Sequence, residues 1–171
     1  PVSRQELMEL ADLRIVLELE AVKRLCEWPR AELPPLLAQL AETWMVAADQ
    51  RLTDGSAVSR LDEQFHCHLL DAAGNREMAR IHAQVSEKIR IIRRLDFTPG
   101  PRIEMTYQEH ALILEAILKR RCEQAQSLLK THIEVSKAEV RKVTLHMLHT
   151  ARQRSLAAGD KQDIFAAAQH K

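Results

Sequence analysis

Apolar residues return every three or four positions along most of this 171-residue chain, and only a few sites stop the pattern. That spacing gathers them on one face of an α-helix. The interruptions are Trp28-Pro29, Thr53-Asp54-Gly55-Ser56, Gly74-Asn75 and Thr98-Pro99-Gly100-Pro101, residue types that end helices or make turns. With 4 Gly, 6 Pro and no alternating β-branched run, the chain is expected to be all-α.

Six helices follow from these boundaries. The first spans Ser3 to Glu27, with Ser3 as N-cap and Glu6 completing a capping box. Its apolar stripe is read as Leu7, Leu10, Leu13, Val16, Leu17, Val22 and Leu25, with Arg14 among them. The second covers Pro29 to Arg51 and starts near Glu32 or Leu33, because Pro34 and Pro35 suit a first turn. The third, Ala57 to Ala73, is capped by Asp54 or Ser56 and closes at Gly74. The fourth, Arg76 to Leu95, ends in a basic cluster (Arg90, Arg93, Arg94) that reads as a solvated face. The fifth runs from Arg102 to Arg120. The sixth starts near Glu123, ends near Gln153, and gives way to a linker at Ala157-Ala158-Gly159-Asp160. Residues 1–153 are thus expected to form one domain, with 154–171 a partly flexible tail.

A net charge of +1 gives no electrostatic footprint for nucleic acid or a membrane surface. No apolar run approaches the ~20 residues that span a bilayer, and no signal-peptide pattern is present. Cys26, Cys67 and Cys122 are odd in number and lack CxxC spacing, so they read as small hydrophobes in a reduced, cytoplasmic setting.

Polar residues on the apolar faces point to function. Asp62 and His66 are four apart, so on a helix they lie one above the other, beside Phe65, Leu69 and Leu70. A carboxylate and an imidazole aimed into a core are costly unless paired or bound. His110 and His132 stand on the apolar stripes of the fifth and sixth helices. Any one of these histidines, taken alone, is more often a satisfied core residue than a ligand. Three helices each placing one on the stripe suggest a shared divalent metal: Zn²⁺ first, with Ni²⁺, Mn²⁺ or Fe²⁺ open. His68, His82, His146, His149 and His170 read as solvated or edge residues. Arg14 either snorkels to the surface or holds a carboxylate in a bidentate fork.

Five motifs in order resemble the FCD domain, the C-terminal effector-binding domain of the FadR subgroup of GntR-type bacterial transcription regulators. They are Leu13-Arg14-Ile15-Val16-Leu17-Glu18, Asp62-Glu63-Gln64-Phe65-His66-Cys67-His68-Leu69, Ala72-Ala73-Gly74-Asn75, Glu109-His110 with Ile113 and Ala116-Ile117, and Ala125 through His132-Ile133. The resemblance covers about residues 5 to 145. It implies an antiparallel bundle of six to seven helices and a homodimer. It also implies a metal held by Asp62, His66, His110 and His132, with a small organic acid beside it on Arg14 and Thr106. The family commonly has Gly-Asp at the turn before the last helix, where this chain has Arg121-Cys122. No winged helix-turn-helix precedes residue 5, so DNA contact is expected only through a domain missing from this chain.

The expected function is therefore a ligand switch, in which an effector binds one arrangement of the bundle better than another. Two rivals are an all-α metal-dependent hydrolase and a metal-free helical dimerisation module. A hydrolase needs a general base near the metal. Glu63 and Glu109 are the candidates, but each adjoins a ligand in sequence and is expected to point off the ligand face.

Overall fold

In the computed structural model the backbone is described for residues 3–95 and 101–168, and side chains for these except 91–95, 101, 138–144, 147 and 159–168. Six α-helices occur in order: α1 (Arg4–Cys26), α2 (Pro35–Trp44), α3 (Gly55–Ala72), α4 (Arg76–Leu95), α5 (Pro101–Leu118) and α6 (Cys122–Ala168). Single 3₁₀ turns at Arg30–Glu32 and Ala48–Gln50 flank α2. The all-α expectation holds. The break at Thr98-Pro99-Gly100-Pro101 falls outside the described residues except for Pro101, where α5 begins.

The caps follow from local chemistry. Ser3 Oγ accepts the Glu6 N–H at 3.1 Å, and the Asp54 carboxylate accepts from Ser56 and Ala57. Gly74 closes α3 at φ +82°, and a Cβ there would lie 3.1 Å from the Trp28 ring. Asn75 Oδ1 then accepts the Met78 N–H at 3.0 Å and starts α4.

Helix α5 ends without glycine. The N–H groups of Arg121 and Arg120 return to the carbonyls of Ala116 and Ile117, a Schellman closure that puts Arg120 at φ +60°. Its side chain offsets the strained backbone by donating to the Leu25 and Cys26 carbonyls at 2.8 and 3.2 Å, which caps α1.

Three expectations need correction. The second segment is not one helix from Pro29 to Arg51. Pro34 is extended at ψ 133°, so α2 starts at Pro35, and the chain leaves helical geometry at Met45. Helix α6 does not stop near Gln153 for a linker at Ala157-Ala158-Gly159-Asp160 but continues to Ala168. Finally, the buried stripe of α1 is Leu7, Ala11, Arg14, Glu18, Ala21, Val22, Leu25 and Cys26, while Leu13 and Val16 are exposed. Leucine is abundant on both sides of α1, so hydrophobicity alone misplaced the face.

Helix α1 packs on α6, α3 and α4, while α2 and α5 close the other side against α3 and α6. The main core joins Leu25, Leu37, Leu40, Trp44, Phe65, Leu69, Ile113, Leu114, Ile117 and Leu129 from five helices. A smaller cluster of Leu7, Val85 and Ile89 fixes α4 against α1. Between these apolar regions α1, α3, α5 and α6 turn polar side chains inward.

Candidate metal centre

Asp62 and His66 come from successive turns of α3, His110 from α5 and His132 from α6, and all four are buried. Their ligating atoms all lie within 4.8 Å of one another. His66 Nε2 is 3.2 Å from His132 Nε2, and His110 Nε2 is 3.1 Å from that same atom. Asp62 Oδ1 lies 2.9, 3.4 and 3.6 Å from the Nε2 atoms of His110, His66 and His132.

These spacings suit a cation. Zn–N bonds of about 2.0–2.1 Å in a tetrahedron put neighbouring ligand atoms about 3.3 Å apart. One carboxylate oxygen and three imidazole nitrogens are also the donor chemistry of zinc and of later first-row metals. The four residues fit the group the sequence implied.

The ring orientations have separate causes. The Phe65 ring stacks on His110 with centroids 3.8 Å apart at 9°, and Trp44 meets the same imidazole edge-on at 4.1 Å. His110 Nδ1 is buried with no hydrogen-bond partner among the described residues. His66 and His132, by contrast, each turn Nδ1 to a carboxylate, Glu18 and Glu109 respectively.

Burial pushes the imidazole of His110 down to about 3, against the pull of the Asp62 hydrogen bond. Burial and the Arg14 charge push His66 down to about 4. For His132 burial acts downward as well, but hydrogen bonds to Asp62 and Glu109 outweigh it and raise the group. Glu18 is fully enclosed, yet Arg14 and His66 overcome the burial cost and hold it well below the usual carboxylate range.

Of the two residues carried over for an effector, Arg14 is buried and forms an ion pair with Glu18, Nε 2.8 Å from Oε2. It also lines a small cavity among α1, α4 and α6 with Leu7, Ala11, Ile89, Ile133 and Ser136. Thr106 is buried on α5, its hydroxyl donating to the Arg102 carbonyl at 3.0 Å, and it is not among the residues lining that cavity.

Glu63 pairs with Arg90 at 2.7 Å and is not among the four clustered residues. Glu109 does reach the site, contrary to expectation, but from behind His132. His82, expected at an edge, is buried with Nε2 3.6 Å from Glu18. Glu18 was missed as well. Its signal was present: 7, 11, 14, 18, 22 and 25 is a helical stripe, and positions 14 and 18 on it are charged.

Residues 9–135 match the FCD domain. The chain is 30% identical over 132 residues to the uncharacterized HTH-type transcriptional regulator YdhC of Bacillus subtilis (strain 168), covering 77% of this chain and 58% of that protein. It therefore spans little more than half the length of that relative. Among solved structures it resembles the metal-free FCD domain of TM0439, with TM-score 0.62 and 20% identity over 83% of this chain and 96% of the other. A GntR-family transcriptional regulator from Pseudomonas syringae pv. tomato str. DC3000 superposes with TM-score 0.65 at 18% identity, covering 86% of this chain and 60% of that one. At such identities the likeness is one of fold. The sequence match over most of the chain carries the assignment: this chain belongs to the FCD domain family.

Proposed function

We propose that this chain is the effector-sensing domain of a bacterial GntR-type transcription regulator. It would hold one divalent metal, Zn²⁺ first, through Asp62, His66, His110 and His132, and a small carboxylate beside it through Arg14. The observation that carries the reading is the convergence of four buried ligating atoms from three helices within 4.8 Å. Supporting it, the relative that is 30% identical is named a helix-turn-helix transcriptional regulator. DNA contact then belongs to a separate domain of the full-length protein.

Bound, the metal supplies a Lewis-acidic position that an effector carboxylate can occupy. The protein supplies the rest. Arg14 presents a guanidinium from α1 to the cavity, and Ser136 from α6 adds a hydroxyl. That cavity measures about 20 Å³, room for a single water. An organic acid therefore enters only if α1, α4 and α6 separate, and this opening is what couples binding to a change of arrangement. The regulator reading is favoured over a hydrolase because Glu63 is engaged by Arg90 and Glu109 by His132, which leaves neither as a base on the open side. Leu13 and Val16, exposed on the outer side of α1, offer apolar surface to a second copy in a homodimer.

The test is elemental analysis of the purified chain, then thermal melts with and without EDTA and a panel of small hydroxy acids, sugar acids and dicarboxylates. About one metal per chain is expected, with an upward melting shift from one acid class that EDTA removes. Asp62→Ala and His132→Ala should lose both metal and shift. Full metal occupancy in both variants would refute the assignment of the site.

A further inference from the structure

We propose that Glu18 and Glu109 are positioning residues that fix the protons of His66 and His132 on Nδ1 and so turn both Nε2 lone pairs toward the metal. This rests on the metal reading above and adds to it two residues that bind nothing themselves.

Glu18 Oε1 faces His66 Nδ1, while Oε2 pairs with the Arg14 charge, 2.8 Å from Nε, and lies 3.6 Å from His82 Nε2. A carboxylate facing three nitrogen donors is an acceptor only, so the proton between Glu18 and His66 sits on the imidazole. Glu109 does the same from α5: Oε2 faces His132 Nδ1 and Oε1 lies 3.7 Å from Arg102 Nη1. With Nδ1 turned to a carboxylate in each ring, Nε2 is the nitrogen left to face the ligand cluster. The two Nε2 atoms then face each other at 3.2 Å, with Asp62 Oδ1 at 3.4 and 3.6 Å. Nitrogens and a carboxylate oxygen this close need a positive centre between them, a shared proton in the metal-free protein or the metal once bound. The opposite tautomer would set an Nδ1 lone pair against a carboxylate. The carboxylates thus fix the rings in the metal-ready form before metal arrives, which is how outer carboxylates tune ligating histidines in general.

The arrangement also gives α1 its place in the site. That helix contributes no ligand, yet through Glu18 it holds His66, and through Arg14 on the same carboxylate it touches the cavity. His110 differs from the other two: no carboxylate faces its Nδ1, and Phe65 and Trp44 pack on its ring while Asp62 meets its Nε2.

Two measurements on the 171-residue chain test the proposal. Long-range ¹H–¹⁵N spectra of metal-free protein read the tautomers directly, and competition with a chromophoric chelator reads Zn²⁺ affinity. In the wild type, His66 should carry its proton on Nδ1. Glu109→Ala should weaken Zn²⁺ about 10- to 100-fold without moving the metal-free melting point by more than a few degrees, because Glu109 is a quarter exposed. Glu109→Gln, which keeps an acceptor, should recover part of that loss. Glu18→Ala should release the His66 tautomer, and if it does not fold, the Glu109 pair still decides the matter. A proton found on His66 Nε2, or wild-type Zn²⁺ affinity in Glu109→Ala, overturns the proposal and leaves the metal reading intact. Failure of the wild type to take up Zn²⁺ overturns both.

Discussion

Phe65 is where the core and the site meet, so truncating it tests both at once. Its ring has 0% exposure, stacks on His110 and meets Trp44 edge-on at 6.0 Å and 78°. Phe65→Ala removes a fully buried aromatic, which costs about 3–5 kcal/mol, with about 0.5–1.5 kcal/mol of ring-pair energy inside that loss. For a chain of this size each kcal/mol moves the melting point by about 2–4 °C, so a fall of about 6–20 °C is expected. Against a typical total of about 5–15 kcal/mol the variant still folds, but marginally. Phe65→Leu is the sharper probe. It keeps most of the volume, costs about 1–2 kcal/mol, and removes the flat wall that holds His110. With Nδ1 unpartnered among the described residues, only Trp44 at the ring edge and Asp62 at Nε2 are left to hold the imidazole. Re-ordering the ring on metal binding should cost about 1 kcal/mol, or a five- to tenfold loss of Zn²⁺ affinity. Differential scanning calorimetry reads the first effect and chelator competition the second. A melting point within about 2 °C of wild type for Phe65→Ala would refute the burial argument, and unchanged Zn²⁺ affinity in Phe65→Leu would refute the claim that stacking orients His110.

Two further predictions follow from charge and backbone. In metal-free protein His66 and His110 sit at about 4 and 3, below the ordinary 6.5, so their contribution is complete above pH 6.5 and is lost as pH falls toward those values. By pH 5 each costs about 2 kcal/mol. His82, raised to about 9 by Cys67 and Glu18 against the downward pull of burial, contributes below pH 6.5 and loses that contribution as pH rises toward 9. Urea midpoints of EDTA-treated protein should therefore peak near pH 6–7, and a flat profile from pH 5 to 8 would count against these burial effects. At the α5–α6 turn, Arg120→Ala keeps the positive φ and loses the cap on α1, costing about 1–2 kcal/mol. Arg120→Gly relieves the backbone by about 1 kcal/mol and should melt above the alanine variant. The reverse order would show that the positive φ stores no strain, and an Arg120→Ala melting point equal to wild type would show that the side chain caps nothing.

The chain's own pattern determined a good deal. Helical apolar periodicity broken at Pro29, Gly55 and Gly74 leaves no alternative to a helical bundle, because period and breakers are local properties. The inward placement of Asp62, His66, His110 and His132 was equally legible, since a polar residue inside an apolar stripe has nowhere to point but inward. Only the tertiary structure decided which face of α1 is buried, because leucines flank both sides and the packing partners α3, α4 and α6 choose between them. It alone brought Glu18 of α1 to His66 and Glu109 of α5 to His132, contacts 48 and 23 residues apart. It also decided that α6 runs on to Ala168. Pairings across helices depend on how the helices cross, and side-chain periodicity within one helix carries no record of that.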